Sequence, residues 1–127
     1  MRSVFLLGRV ILGGFFLYNG INHFKQREVM KQYTASKGVP NPDWAVMGSG
    51  AAMALGGASI ILGVQPKLGA AAIAAFLAGA SPTMHDFWNA DEATKQNELI
   101  NFSKNMALLG AALILMSVEE PWPASLG

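Results

Sequence analysis

Three groups of polar side chains interrupt an otherwise apolar sequence, and they contain the residue types best suited to proton exchange or ligand binding. The groups are Asn19/Asn22/His23, His85/Asp86/Trp88 and Asn101/Lys104/Asn105. Imidazole and carboxylate groups accept and release protons, and amides both donate and accept hydrogen bonds. Together they suit a pocket for a lipid or quinone headgroup, or a proton-linked pocket. They equally suit a hydrogen-bond network that ties helices together in lipid, where an unmet polar group costs roughly several kcal/mol.

Metal or haem binding is a third interpretation of the same residues. His23, His85 and Asp86 are of ligand type, but no ligand pair with metal-binding spacing occurs within one helix. We therefore predict no metal site. The absence of Cys excludes disulfides, thiolate metal sites and thiol redox chemistry. No nucleophile–base pair, phosphate loop or metalloprotease helix is present, so the sequence predicts no catalytic residues.

The composition is that of a membrane protein. Hydrophobic residues make up 52% of the 127 residues and charged residues only 13%, against about 25% in a soluble domain. The length predicts a single domain over residues 1–127. A net charge of +1, with no basic patch interleaved with aromatic residues, predicts no nucleic-acid partner.

Four apolar runs are long enough to cross a bilayer as helices, over about residues 3–22, 45–64, 68–85 and 99–118. Abundant Gly and Ala with scattered β-branched residues favour helix over strand. The predicted fold class is therefore all-α, an integral membrane bundle of four antiparallel transmembrane helices. A soluble four-helix bundle is excluded because the second and third runs have no polar face.

A short amphipathic helix is predicted between the first two spans, over Gln26 to Lys37. Val29, Met30 and Tyr33 share one side of it, opposite several basic residues. This pattern is typical of a helix in the headgroup region, although a solvated connector remains the alternative.

Small residues at four-residue spacing predict where helices approach each other closely. Gly48, Ala52 and Gly56 form such a ridge on the second span, and alanines form another on the third. We expect these two spans to be the closest pair. Arg9, about six residues into the first span, is expected to reach the interface or pair with Glu119 or Glu120, or else to contact an anion or lipid phosphate.

The distribution of Lys and Arg predicts the orientation. One surface carries Lys25, Arg27, Lys31, Lys37, Lys95 and Lys104, and the other carries Arg2, Arg9 and Lys67. By the positive-inside rule the first surface is cytoplasmic and both termini lie outside. Because the spans alternate in direction, His23, His85, Asp86 and Asn105 fall in the same leaflet, and we expect them to converge in one cluster. With Trp88, they are the candidate cofactor-binding residues.

The order of the short motifs along the chain resembles the DoxX family of small bacterial four-helix membrane proteins. The segments that carry the resemblance are Leu7–Gly13, Gly20–Phe24, Lys37–Pro42, Met84–Trp88 and Asn101–Gly110. The resemblance implies a multi-pass protein of the bacterial inner membrane. Some relatives are subunits of membrane oxidoreductases such as thiosulfate:quinone oxidoreductase, and others are linked to oxidative-stress partners. It carries over no catalytic residue.

From the residues and the resemblance together, we predict a non-catalytic membrane subunit or scaffold associated with redox metabolism. The expected partners are the lipid bilayer and either further copies of the chain or a membrane redox protein. Two alternatives stay open: a quinone-handling subunit of a membrane oxidoreductase, and a small transporter-like protein that binds a lipid or solute. Quinone or lipid is a possible bound molecule in either case, although the sequence itself requires no cofactor.

Overall fold

Long apolar helices account for most of the computed structural model, which describes residues 2–123. Within this range the α-helices are α1 (Arg2–Lys25), α2 (Arg27–Ser36), α3 (Pro42–Leu62), α4 (Pro66–Met84) and α5 (Glu92–Met116). A 3-10 turn, Phe87–Asn89, joins α4 to α5. The predicted domain, 1–127, also includes Met1 and residues 124–127, among them Ser125, which lie outside the described residues.

The helix boundaries follow from local chemistry. Pro42 and Pro66 begin α3 and α4, where their missing N–H groups have no helical partner to lose. Gly63 ends α3 in the left-handed conformation, with φ at 71°. Asp91 caps α5 by accepting a hydrogen bond from the Thr94 amide at 3.0 Å. This cap places the start of α5 at Glu92, well before the predicted start of the fourth span at residue 99.

Four of these helices, α1, α3, α4 and α5, are long and apolar enough to cross a membrane. Large apolar side chains on their outer faces are exposed, including Leu7, Leu55, Leu68 and Ile114. Such exposure suits lipid rather than water. The predicted fold class, a four-helix membrane bundle with a short helix between the first two spans, is confirmed.

The closest pair of spanning helices is α1 and α3, which contact each other through glycine. A Cβ atom added at Gly20 would overlap the backbone of Gly50 and Ala54, and one added at Gly57 would overlap that of Gly13. Each helix thus presents glycines two turns apart, and the two backbones touch where these glycines face each other. We therefore expect little tolerance of larger side chains along this contact.

The prediction that the second and third spans form the closest pair is wrong. Gly48 has open space where a side chain would be, so it does not belong to a packed ridge. Gly56 does face α4, close to the carbonyl of Gly69 and the side chain of Ile73. The glycines of α3 point in two directions, and the face toward α1 makes the more extensive contact. Four-residue spacing alone did not distinguish these faces.

Arg9 is buried at the end of the bundle where α3 finishes. Its Nε donates to the Ile60 carbonyl at 3.0 Å, and its other nitrogens donate to the carbonyls of Ile61, at 2.8 Å, and Pro123. The carbonyls of a last helical turn lack intrahelical donors and carry the negative end of the helix dipole, so they suit a guanidinium. In the described residues these carbonyls take the place of the expected Glu119 or Glu120, whose side chains are exposed.

Candidate functional site

A cavity of about 650 Å³ lies at the opposite end of the bundle from Arg9, and every helix contributes to its wall. We call it the apolar cavity, and define it by His23 of α1, Thr34 of α2, Val46 of α3, Phe76 of α4 and Asn105 of α5. Most of its wall is aliphatic or aromatic. Its size falls within the range of about 300–1,000 Å³ that is usual for small-molecule sites.

The short helix α2 forms one side of this cavity. Val29, Met30 and Tyr33, which share its apolar side, all line the cavity. The start of α2 is tied to the start of α3 by Arg27 and Asp43, whose Nε and Oδ1 atoms are 3.6 Å apart. The apolar side of this amphipathic helix therefore closes one side of the cavity.

His23 projects from the last turn of α1 toward the cavity. Its Nδ1 lies 2.8 Å from the carbonyl oxygen of Asn19, so Nδ1 carries the proton and donates it. In the neutral ring, Nε2 is then an acceptor. The ring also meets Phe76 edge to face, with centroids 6.4 Å apart. These two contacts fix the orientation of the imidazole.

Asn105 is the polar residue that α5 contributes to the apolar cavity. Its side chain is half-buried and makes no hydrogen bond to any residue between 2 and 123. An amide in this position offers two donors and one acceptor to a bound molecule. Thr34, which is buried, adds a hydroxyl from the α2 side.

A second cavity, of about 620 Å³, adjoins the first and is lined mainly by polar side chains. We call it the polar vestibule, and define it by Lys37, Asp86, Asp91, Glu98 and Asn101. His85 and Tyr33 line both cavities. The two side chains therefore form the boundary between an apolar and a polar space.

Lys37 and Glu98 are at the centre of a network of charged groups around the vestibule. The Lys37 ammonium lies 2.9 Å from Asp86 Oδ1 and 3.2 Å from Glu98 Oε2. Glu98 also accepts a hydrogen bond from His85 Nδ1 at 3.4 Å, and Tyr33 donates to the Met84 carbonyl at 3.0 Å. Glu98 is buried, and a buried carboxylate requires such partners.

The electrostatics of Lys37 and Tyr33 follow from these contacts. The hydrogen bond from Lys37 to Asp86 raises the pKa of the lysine; burial opposes this shift, and the bond to Glu98 supports it. The pKa of Tyr33 is also raised, first by burial and then by the negative charge of Glu98. At neutral pH both groups are protonated, so Lys37 is a fixed positive charge beside two carboxylates.

The structure brings three of the five predicted site residues to the apolar cavity, namely His23, His85 and Asn105. Asp86 lines the vestibule instead. Trp88 lines neither cavity; it is exposed and packs against Phe87 and Phe102.

Sequence reasoning missed Glu98, Lys37 and Tyr33. Glu98 carried a usable signal, because it lies two turns before Asn105 and shares its helix face. This relation was not used, because the fourth span was predicted to start only at about residue 99, after Glu98. The contacts of Lys37 cross 49 and 61 positions of sequence, which no local pattern encodes.

The donor set of this region favours hydrogen bonding and proton exchange over metal binding. Within the described residues, no three His, Cys, Asp or Glu side chains are grouped so that they could hold a metal ion. The carboxylates near His85 are instead engaged in hydrogen bonds and ion pairs with His85 and Lys37.

Comparison with known proteins assigns the family. No curated protein and no solved structure matches the chain. The sequence model of the DoxX family matches residues 4–86, which include α1 from residue 4 onward, α2, α3, α4 and His85. The match therefore covers most of the wall of the apolar cavity, but it does not reach α5, which supplies Asn105 to that cavity and Glu98 to the vestibule. It spans well over half of the sequence, and the chain belongs to the DoxX family.

Proposed function

We propose that this membrane protein binds a quinone, or an amphiphile with a similar ring headgroup, in the apolar cavity. The observation that carries the proposal is the arrangement of that cavity. His23, Asn105 and Thr34 come from three different helices and place polar groups in a cavity whose wall is mostly apolar. A quinone has the matching chemistry, because its carbonyl oxygens accept hydrogen bonds while its ring and tail are apolar.

The polar groups differ in what they offer to such a ligand. The amide of Asn105 supplies donors for a quinone carbonyl, and the Nε2 of neutral His23 supplies an acceptor for a quinol hydroxyl. Both the oxidised and the reduced ligand would therefore find a partner. Val29, Val39 and Phe76 provide apolar surface for the ring or the tail.

Binding of short-tailed benzoquinone and naphthoquinone derivatives to the purified protein in lipid nanodiscs tests this proposal, with empty nanodiscs as the baseline. Replacing Asn105 by Leu should raise the Kd about tenfold, because one hydrogen bond is worth roughly 1.4 kcal/mol. Asn101→Leu is the matched control, since Asn101 lies one turn earlier on α5 and lines the vestibule. Failure of the wild-type protein to bind either quinone, or equal Kd values for the two variants, would overturn the proposal.

A membrane subunit or scaffold without catalysis of its own is the second candidate function. This role is favoured by the exposure of α5. Only 11% of the most apolar stretch of this helix is buried against the rest of the chain. Exposed side chains such as Ile100, Leu113 and Ile114 are available to lipid, to another copy or to a membrane redox protein. Cross-linking from cysteines placed at Leu113 and, as a control, at Leu7 in native membranes tests this role. A specific cross-linked partner at Leu113 alone is the expected result, and monomer at both positions would contradict it.

For location, we infer the bacterial inner membrane, with both termini outside. The inference rests on the six basic residues of the α2 side against three on the other side. The chain has no native Cys, so single cysteines at Ser3 and Ser36 can be labelled cleanly. A membrane-impermeant maleimide added to intact cells with a permeabilised outer membrane should label Ser3→Cys and spare Ser36→Cys. The reverse pattern would invert the orientation.

A further inference from the structure

His85 is the side chain at which the two cavities meet. It follows the last residue of α4, lines both the apolar cavity and the polar vestibule, and is half-buried. Its Nδ1 lies 3.4 Å from Glu98 Oε1, and Glu98 lines the vestibule only. One ring nitrogen is therefore engaged on the vestibule side, and Nε2 makes no hydrogen bond within residues 2–123.

The groups around His85 come from four elements. Glu98 of α5 accepts from its ring, and Tyr33 and Lys37 of the α2 side donate to the same carboxylate. Asp86, next to His85 in sequence, accepts from Lys37. His23 of α1 lies across the apolar cavity. Lys37 keeps Glu98 paired with a positive charge, and Asp86 shares that charge. The carboxylate is thus held in position beside His85, next to a space lined with polar groups.

We propose that His85 and Glu98 form a proton path between the polar vestibule and a ligand in the apolar cavity. This inference rests on the proposed function. A ligand hydroxyl gives its proton to Nε2 of His85, the proton on Nδ1 passes to Oε1 of Glu98, and Glu98 releases it to water in the vestibule. The ligand is left as an oxyanion, the imidazole returns to neutrality as the other tautomer, and no electrons move. Proton uptake by the ligand follows the same path in reverse.

The division of the two cavities explains why such a path is needed. A headgroup bound in this cavity lies mostly among aliphatic and aromatic side chains, so few nearby groups can exchange a proton with its hydroxyl. The vestibule supplies a polar route, and His85 suits the bridge between the two spaces because an imidazole, in its neutral form, has a donor and an acceptor on opposite sides of one ring. His85 is thus assigned as a proton-transfer residue that touches the ligand, and Glu98 as a positioning and proton-accepting residue behind it.

A rapid pH jump on a bound probe tests the path. The probe is a 2-hydroxy-3-alkyl-1,4-naphthoquinone, whose ionised form absorbs visible light, bound to the protein in nanodiscs and followed by stopped-flow absorbance. In Glu98→Gln and His85→Gln, the bound probe should change protonation at least tenfold more slowly than in the wild-type protein. The Kd of the protonated probe should change less than about threefold in Glu98→Gln, because Glu98 does not line the apolar cavity.

Glu92→Gln is the matched control, since Glu92 lies on the same helix as Glu98, is exposed and lines neither cavity. Its rate should equal that of the wild-type protein. Equal rates for the wild-type protein, Glu98→Gln and His85→Gln would overturn the proton path while quinone binding stands. If one of the two variants fails to fold, the rate in the other decides the outcome. A wild-type protein that does not bind the probe or any other quinone would overturn the proposed function and the path together.

Discussion

The two ends of this bundle hold charged groups in opposite ways. At one end, which we call the Arg9 end, the guanidinium of Arg9 is held by backbone carbonyls and lies over the rings of Phe5 and Trp122, at 5.7 and 5.4 Å. At the other, the His85 end, the ammonium of Lys37 is held by the side chains of Asp86 and Glu98. Both cavities described above lie at the His85 end.

This difference indicates that the charge at the Arg9 end stabilises the fold, whereas the charged groups at the His85 end can take part in chemistry. Backbone carbonyls do not titrate in the physiological range, and Arg stays protonated, so these contacts of Arg9 keep the same charge. Carboxylate and imidazole groups change their charge with small changes of environment, and at the His85 end they border space that can admit water or a ligand. The Arg9 end should therefore govern stability, and the His85 end should govern binding and proton exchange.

Replacing Arg9 by Met tests this division with the largest expected effect. The substitution leaves the carbonyls of Ile60 and Ile61 without these donors inside the bundle, and should lower the free energy of unfolding by about 3–5 kcal/mol. Lys104→Met is the matched control. Lys104 is exposed and lies 6.0 Å from the Phe15 ring, so its loss should cost less than about 1 kcal/mol. Equal losses of stability in detergent unfolding would refute a structural role for Arg9.

The contrast between the ends could be predicted from the sequence only in part. Apolar length fixed the number and approximate bounds of the spans, because lipid leaves the backbone few alternatives to a helix. Alternation of the spans placed His23, His85 and Asn105 in one leaflet, and these three do line one cavity. The vestibule was not predicted, since it depends on how α2 folds back and brings Lys37 to Glu98.

Helix pairing was the part of the fold that the sequence described least well. Gly13 and Gly20 on the first span match Gly50 and Gly57 on the second, but several other small residues compete with them. Which of these faces a partner depends on the rotation of each helix, and that rotation is set by the sum of many contacts. The carbonyl partners of Arg9 were likewise not predicted. Every residue has a backbone carbonyl, so no sequence pattern indicates which carbonyls a side chain will bind.

Gly57→Ala should have the second largest effect, because α1 and α3 are in backbone contact near the Arg9 end. A methyl group at Gly57 would overlap the carbonyl of Gly13 and the backbone of Leu17, at a cost of about 1–3 kcal/mol. Gly48→Ala, toward the His85 end of the same helix, meets open space and should stabilise by up to about 1 kcal/mol. Thermal unfolding of both variants checks the sign of each change. Destabilisation by Gly48→Ala would instead indicate that Gly48 is packed against another helix, as the sequence predicted.

Lys37→Met tests the His85 end and should cost about 1–2 kcal/mol, less than Arg9→Met because the side chains of Lys37 and Asp86 are partly exposed. Lys25→Met is the control, as Lys25 is exposed on the same side.

The raised pKa of Lys37 gives its contribution to stability a definite pH dependence. The contribution is complete below the ordinary lysine pKa and is lost only as the pH rises through the higher value of the folded protein. The difference in stability from the wild-type protein should stay constant from about pH 6 to about pH 9, and a steady decline across that range would contradict the ion pairs.

Trp88 gives the smallest expected effect and sets the outer limit of the functional region at the His85 end. Its indole packs edge to face against Phe87 and Phe102, with ring centroids 5.1 and 5.8 Å away, and reaches neither cavity. Trp88→Ala should therefore lower stability by about 0.5–1.5 kcal/mol through the lost ring contacts, while the Kd of a quinone changes less than about twofold. Trp88→Phe, which keeps an aromatic ring, should restore the stability and leave binding unchanged.

Because Trp88 is the one predicted site residue outside both cavities, a large loss of quinone binding in Trp88→Ala with normal stability would extend the binding region beyond the apolar cavity. If Trp88→Ala binds quinone normally while Asn105→Leu binds it more weakly, the binding region is confined to the space between His23 and Asn105.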